Sequence, residues 1–209
     1  FVQQVRDYMG GKTPFLRGTF DQLGQASEVL GSDPRTKPVV FMQLTWSAGD
    51  HVVAREGIKN LNDLIKSDKK TRIAVQQGGP HVGFIYAILQ AAQGKKEQVE
   101  IVWVQDLTGP KGPADAFRKD ATIDAACVIT PDMLGLTGGL EAKGSGAEGT
   151  EKGAHVVVST QQMSRAIPDV YVVRSDWYKE NKETVEKFVA GYLKGCDVLV
   201  NLRKQFSES

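Results

Sequence analysis

Apolar and polar positions along the chain follow two periods, and these periods predict alternating strands and helices. Short apolar runs bounded by turn residues predict buried strands, and segments with an apolar residue every three or four positions predict amphipathic helices. The predicted strands cover 14–17, 37–45, 50–55, 72–76, 99–104, 123–129, 155–159 and 170–174. The predicted helices cover 1–9, 21–30, 57–66, 80–93, 113–119 and, as one or two segments, 176–202. This alternation is typical of an α/β protein.

The segment 72–104 carries the clearest pattern. A strand, a helix and a second strand follow one another within about 30 residues, which predicts a right-handed βαβ unit with a parallel sheet. The glycine-rich segment 135–153 predicts a mobile surface connection, with a lid over a site as the minority interpretation. The last helix is expected to place one apolar stripe in the core. This stripe consists of Val185, Phe188, Val189, Tyr192, Leu193, Cys196 and Leu199.

Composition narrows the class of protein. The apolar fraction is 41%, which is enough for a buried core. The 26 basic and 25 acidic residues nearly cancel, so the charge gives no support to a nucleic-acid partner. The two cysteines, Cys127 and Cys196, form no CxxC or Cys/His pattern; we therefore expect two small buried side chains, no metal site and no cofactor.

At residues 55–81 the sequence REGIKNLNDLIKSDKKTRIAVQQGGPH resembles the central signature of type II periplasmic solute-binding proteins. The nearest branch serves ABC importers of nitrate, aliphatic sulfonates, taurine and thiamine precursors. Segments 18–21, 123–126 and 168–195 resemble further parts of that family in the same order. The family usually opens with a strand–helix unit before the point that Phe1 matches, so we expect that unit to be missing from this chain or absent from a shortened variant.

The resemblance implies a two-lobe, periplasmic-binding-protein-like (type II) α/β fold with mixed, mostly parallel sheets and a hinge. Lobe I would consist of 1–56 plus 169–209, and lobe II of 57–168. It also implies a small anionic or polar solute in the interlobe cleft, no catalysis, and an ABC transporter permease as partner. The expected location is periplasmic or extracytoplasmic, with membrane contact only through the permease or a lipid anchor outside this chain.

The loop 76–81 (QQGGPH) follows a predicted strand and opens a predicted helix. Ligands of open α/β sheets bind beyond the carboxyl ends of strands. Glycines let the backbone approach a ligand closely, and the start of a helix favours an anion. A histidine adds a donor whose charge depends on pH. A plain tight turn is the alternative. The candidate ligand residues here are Gln77, Gly78, Gly79 and His81.

Three more loops supply candidate ligand residues. Gly18 and Thr19 precede a predicted helix, where Thr19 would offer a hydroxyl to the ligand or cap the helix. Trp46 and Ser47 follow a predicted strand; Trp46 would wall an apolar part of the ligand, or simply pack. Thr130 follows the strand 123–129 and offers a second hydroxyl. In this segment, sulfonate and nitrate members of the family often carry an aromatic residue and a glutamate instead, which leaves the identity of the ligand open.

Two other classes of function remain as alternatives. The first is a ligand-sensing domain of a larger receptor, which only flanking sequence would distinguish from a transporter component. The second is an enzyme on the same fold. For an enzyme the best candidate nucleophile is Cys127, which lies three residues before the loop at Thr130.

Overall fold

Strands and helices alternate across residues 1–65 and 69–207, which are the residues that the computed structural model describes. The strands are β1 (Phe15–Thr19), β2 (Pro38–Trp46), β3 (Asp50–Ala54), β4 (Thr71–Gln76), β5 (Val99–Val104), β6 (Ala125–Ile129), β7 (His155–Ser159) and β8 (Pro168–Arg174). The helices are α1 (Val2–Met9), α2 (Phe20–Gln25), α3 (Ser27–Leu30), α4 (His81–Ala91), α5 (Pro113–Lys119), α6 (Thr130–Thr137), α7 (Ser175–Glu180) and α8 (Lys182–Ser207). Short 3₁₀ helices cover Leu61–Leu64, Lys96–Gln98 and Gly109–Lys111.

The chain divides into two compact units. The first contains Phe1, Gly18–Gln25 and Thr45–Asp169, and the second contains Val2–Arg17, Ala26–Leu44 and Val170–Ser209. The lobes expected from the sequence, 1–56 plus 169–209 and 57–168, stay a prediction.

A five-stranded mixed sheet forms the centre of the first unit, in the order β5–β4–β6–β3–β7. Strand β4 runs parallel to both β5 and β6, whereas β3 runs antiparallel to β6 and β7. One edge of the sheet therefore contains the carboxyl ends of β4, β5, β6 and β7 together with the start of β3. We call this edge the carboxyl edge.

Side chains on the two faces of this sheet form two apolar clusters. Val52 of β3 belongs to the cluster on the face covered by α4, together with the fully buried Phe84. The next residue, Val53, belongs to the opposite cluster, which includes the fully buried Phe117 of α5. This alternation follows from the two-residue period of a strand. All five residues of β3 are buried, because the strand has a neighbour on each side and a layer on each face.

The second unit contains α1, α7, α8 and most of a three-stranded sheet in the order β1–β8–β2. An aromatic cluster packs on that sheet. Phe15 of β1 lies 5.1 Å from Trp177 and 5.9 Å from Phe188, measured between ring centroids, and Phe41 stacks on Tyr171 at 6.1 Å. Edge-to-face and offset arrangements of this kind stabilise aromatic pairs beyond the area that they bury.

The predicted α/β fold class and βαβ unit are confirmed, since β4, α4 and β5 follow one another with parallel strands. The helix expected over 21–30 is interrupted at Ala26 and forms α2 and α3. Only a 3₁₀ helix occupies the region of the helix expected over 57–66. Lys66, the expected last residue of that helix, lies outside the described residues, and so does part of the lysine-rich turn after it.

The prediction that the apolar stripe of the last helix lies in the core is correct for its first residue and wrong for most of the others. Val185 is buried, but the exposed fraction is 39% for Phe188 and 67% for Leu199. The strand predicted to be buried over 37–45 is half-buried or exposed, with Met42 as its one buried residue. A periodic pattern identifies the apolar face of a helix or strand, but it does not show whether another element packs on that face.

The glycine-rich segment that follows β6 is bonded along its length. Helix α6 extends into it as far as Thr137, and the Arg118 guanidinium donates to the carbonyl oxygens of Gly135 and Gly149. Gly153 N donates to Gly144 O at 2.8 Å. No helix within residues 1–65 and 69–207 is both long and apolar enough to cross a membrane.

Candidate functional site

A cluster of polar side chains lies at the carboxyl edge of the five-stranded sheet. Asp50 is the first residue of β3, His81 begins α4 after the four-residue loop that follows β4, and Thr130 begins α6 directly after β6. Thr160 follows the end of β7. These residues are far apart in the chain and meet because the parallel strands end, and the antiparallel β3 starts, at this edge.

Asp50 is the centre of the cluster and is only 4% exposed. Its Oδ1 lies 2.7 Å from Nε2 of the fully buried His81, and its Oδ2 accepts a hydrogen bond from the Ser47 hydroxyl. Its backbone N–H donates to Thr160 Oγ1 at 3.1 Å. Burial alone would raise the pKa of Asp50. The hydrogen bond and charge of His81, together with the bond from Ser47, outweigh that effect, and the net result is a lowered pKa. Asp50 is therefore a carboxylate in this arrangement.

The protonation of His51 follows from its hydrogen-bond partner. Thr130 has one hydroxyl proton and donates it to Gly49 O at 3.1 Å. The contact of 3.0 Å between Thr130 Oγ1 and His51 Nε2 therefore requires the imidazole to donate. Burial and the nearby His81 lower the pKa of His51, although the charge of Asp50 acts in the opposite direction. The ring is thus neutral, with its proton on Nε2 and a lone pair on Nδ1.

A second group of bonds joins helix α2 to the loop after β4. The Thr19 hydroxyl accepts from Gln22 N at 3.1 Å, and Gln22 Oε1 accepts from Thr19 N at 3.0 Å, which is a reciprocal helix cap. The amide nitrogen of the same Gln22 donates to Gly78 O at 3.0 Å. Gly78 has φ +65°, a left-handed conformation that glycine adopts without steric cost.

Asp21 of α2 lies directly against the first turn of α4. A Cβ atom added to Gly83 would lie 2.2 Å from Asp21 Cγ and 2.3 Å from its Oδ2, so the glycine makes room for this carboxyl group. Burial raises the pKa of Asp21. In the described part of the chain, the Asp21 side chain has no hydrogen-bond partner. One carboxyl group of the protein therefore already lies at the helix start where the sequence suggested an external anion.

The structure brings three of the predicted ligand residues into one hydrogen-bonded network. Ser47, His81 and Thr130 are connected through Asp50 and His51, as described above. Two others, Thr19 and Gly78, share the bonds of Gln22.

The remaining predicted ligand residues lie in the same unit. A Cβ on Gly18 would lie 2.7 Å from the Phe1 ring, and one on Gly79 would lie 2.5 Å from the amide oxygen of Gln76. Trp46 is 43% exposed at the end of β2. Gln77 is exposed, and its backbone N–H donates to Val104 O. Whether any of these residues contacts a ligand stays a prediction.

Sequence reasoning missed five polar residues of the two bonded groups. They are Asp21, Gln22, Thr160, Asp50 and His51. The signal for the last two was an acid and a histidine at the start of an otherwise apolar strand. This signal does not predict a site, because the pattern does not reveal the direction of a strand. Only an antiparallel β3 places its first residues at the carboxyl edge.

The two cysteines differ in burial: Cys196 is half-buried, so the expectation of two buried side chains is wrong for it. Cys127 is fully buried, and burial raises the pKa of its thiol, with a smaller contribution from the charge of Asp50. A thiol in this state is a poor nucleophile. Within residues 1–65 and 69–207, no group of three or more His, Cys, Asp or Glu side chains is placed to hold a metal ion.

Comparison with known proteins gives matches in structure alone. No family model matches the chain, and no curated protein matches it. The periplasmic aliphatic sulphonate binding protein of Escherichia coli superposes with a TM-score of 0.67 at 15% identity, over 97% of this chain and 58% of that one. A periplasmic sulfonate-binding protein from Methylobacillus flagellatus gives 0.63 at 18% identity, over 91% of this chain and 51% of that one. The alkanesulfonate-binding protein of Xanthomonas axonopodis pv. citri, bound to MOPS, gives 0.59 at 12% identity, over 90% and 56%.

These similarities establish the fold. The chain has the α/β architecture of periplasmic binding proteins from ABC import systems and spans between 51% and 58% of the length of the three solved chains. The resemblance found in the sequence is confirmed at this level. All three solved proteins are described as binding proteins, and all are named for a sulfonate ligand.

Proposed function

We propose that this chain belongs to the solute-binding component of an ABC importer and that the solute binds at the carboxyl edge of the five-stranded sheet. The observation that carries the proposal is the convergence of Ser47, Asp50, His81 and Thr130 at that edge. In open α/β sheets this is the edge at which ligands bind. The similarity in fold to sulfonate-binding proteins supports the same conclusion.

Binding without catalysis is the activity that these groups support best. Both carboxylate oxygens of Asp50 are engaged, Oδ1 by His81 and Oδ2 by Ser47, so Asp50 orients its neighbours and is not free to take up a proton from a substrate. The thiol that an enzyme would use is buried and protonated. A protein of this kind would work outside the cytoplasm and deliver its solute to a membrane permease.

Thermal unfolding against a panel of sulfonates, nitrate, amino acids and pyrimidines tests the proposal. A ligand present at 100 times its Kd stabilises the folded state by about 2.7 kcal/mol, which corresponds to a rise in Tm of roughly 5–10 °C for a chain of this size. Thr130→Val keeps the shape of the side chain and removes the hydroxyl at the edge. Its matched control is Thr137→Val on the same helix, where the hydroxyl bonds only Met133 and Gly139.

Each variant is compared with and without ligand, so that its own change in stability cancels. We expect Thr130→Val to reduce the shift caused by the ligand and Thr137→Val to preserve it. Equal shifts in the two variants would remove the carboxyl edge as the binding site. The absence of a shift with every compound would contradict the proposed function itself.

A further inference from the structure

The side-chain hydroxyl groups at the carboxyl edge already donate hydrogen bonds within the protein, and so does the Gln22 amide. Ser47 donates to Asp50, and Thr130 donates to Gly49 O. Thr160 Oγ1 donates to Asp50 O at 3.3 Å, and the Gln22 amide donates to Gly78 O. A side-chain hydroxyl has a single proton to donate, so Ser47, Thr130 and Thr160 have none left for a ligand; the Gln22 amide keeps one N–H.

The same edge retains acceptors without partners. Nδ1 of His51 and Nδ1 of His81 are both buried without a hydrogen-bond partner, and both rings are 0% exposed. Nε2 of His51 donates to Thr130, so Nδ1 of this neutral ring is a lone-pair acceptor. A buried acceptor without a partner is costly and calls for a donor.

The carboxyl groups at this edge add further acceptors. Asp21 lies against Gly83 in the first turn of α4 and, in the described residues, its side chain accepts no hydrogen bond. In the described residues, no lysine or arginine forms an ion pair with Asp21 or Asp50. A sulfonate brought to this edge would therefore face acceptors and negative charge, which is unfavourable.

We infer that the solute of this site presents a nitrogen head group that donates hydrogen bonds, an ammonium or an amide, and not the sulfonate of its structural neighbours. The inference rests on the proposed function, because it concerns the ligand of the same edge. Asp21 is the residue that would discriminate most, since its carboxylate is unpaired and occupies the helix start that an anion would otherwise use. The discrimination is a difference in affinity between head groups.

Binding of three matched ligands to the full chain, followed by calorimetry, tests the inference. They share one alkyl chain and end in an ammonium, a primary amide or a sulfonate. We expect the ammonium or the amide to bind at least about tenfold more tightly than the sulfonate, the difference that one charge-assisted hydrogen bond provides. Asp21→Asn should lower the affinity for the ammonium by a similar factor and leave the sulfonate no weaker.

The control variant is Asp120→Asn, at the opposite edge of the sheet, where the carboxylate pairs with Thr122 and Arg72; it should not alter the order of affinities. Tighter binding of the sulfonate would overturn the inference and leave the proposed function standing. If none of the three ligands binds while a sulfonate or nitrate of the broader panel stabilises the chain, the inference alone is overturned. If no compound of either set binds, both fail.

Discussion

Gly83→Ala tests the contact between Asp21 and helix α4 directly. The added methyl carbon would lie 2.2 Å from Asp21 Cγ and 2.7 Å from Asp21 Cβ, whereas carbon atoms pack at about 3.5–4.0 Å. Asp21 would have to move by more than an ångström, and the Cβ contact means that α2 must move with it. Overpacking of this kind costs about 1–3 kcal/mol, while the exchange of a helical glycine for alanine contributes about 1 kcal/mol in the opposite direction.

The matched control is Gly24→Ala, a helical glycine of α2 with nothing within 4 Å of its added Cβ. It receives the gain in helix propensity without the clash, so unfolding in urea should separate the two variants by about 1–3 kcal/mol, or a Tm difference of roughly 2–12 °C. Asp21→Ala in the Gly83→Ala background removes the two closest atoms and should recover part of the loss. If Gly83→Ala stabilises the protein as much as Gly24→Ala, Asp21 does not cover the helix start in solution, and the acceptor-rich ligand edge loses one of its carboxylates.

Three further outcomes follow from the core and the buried polar network. Phe84→Ala empties a fully buried site and should lower the free energy of unfolding in urea by about 3–5 kcal/mol. Tyr86→Ala, at a side chain that is 51% exposed, should lower it little. Equal losses would contradict the packing described. Asp50→Asn breaks a buried pair with His81 and should destabilise by about 3 kcal/mol. Asp33→Asn removes a pair with the largely exposed Arg35 and should lower the free energy of unfolding little; an equally small loss at Asp50 would mean that its pair with His81 is open to water. The free energy of unfolding should be constant from pH 8 to about 6.5 and decline below that pH. The pKa of His51 in the folded state lies below its ordinary value, so the unfolded chain takes up the proton first. The lowered pKa of Asp50 adds a further loss of stability below pH about 4. A Tm that rises on acidification would refute this sign.

The sequence predicts the layered architecture well because the two periods report local geometry. The strand over 99–104 and the helix over 113–119 have the bounds that the structure gives them. The errors occur where tertiary contacts decide. Residues 57–65 have the spacing of an amphipathic helix, yet Ile58, Leu61 and Ile65 pack against the core from a 3₁₀ turn, because the Asn60 side chain and Asp63 form a closed cap on so short a segment.

The candidate site was found only in part, for a different reason. Gly78, His81 and Thr130 stand at the ends of strands whose parallel direction the βαβ pattern implies, so their common edge could be expected. Asp50 and His51 stand at the start of a strand, and an antiparallel direction is not encoded in the alternation of apolar residues. Hydrogen-bond direction is equally hidden, since whether Thr130 donates or accepts depends on Gly49, which is brought close only by the fold.

The antiparallel strand β3 also constrains the order in which the sheet is built during synthesis. Its apolar residues leave the ribosome about 70 residues before β6 and about 100 before β7, the two strands between which it lies. At about 5–20 residues per second, a five-residue segment that is entirely buried in the finished protein waits roughly 5–20 s for its second partner. Until then at least one edge of β3 is unpaired, and an unpaired strand edge can associate with other chains. The strand that delivers Asp50 to the site is thus open to association with other chains during synthesis.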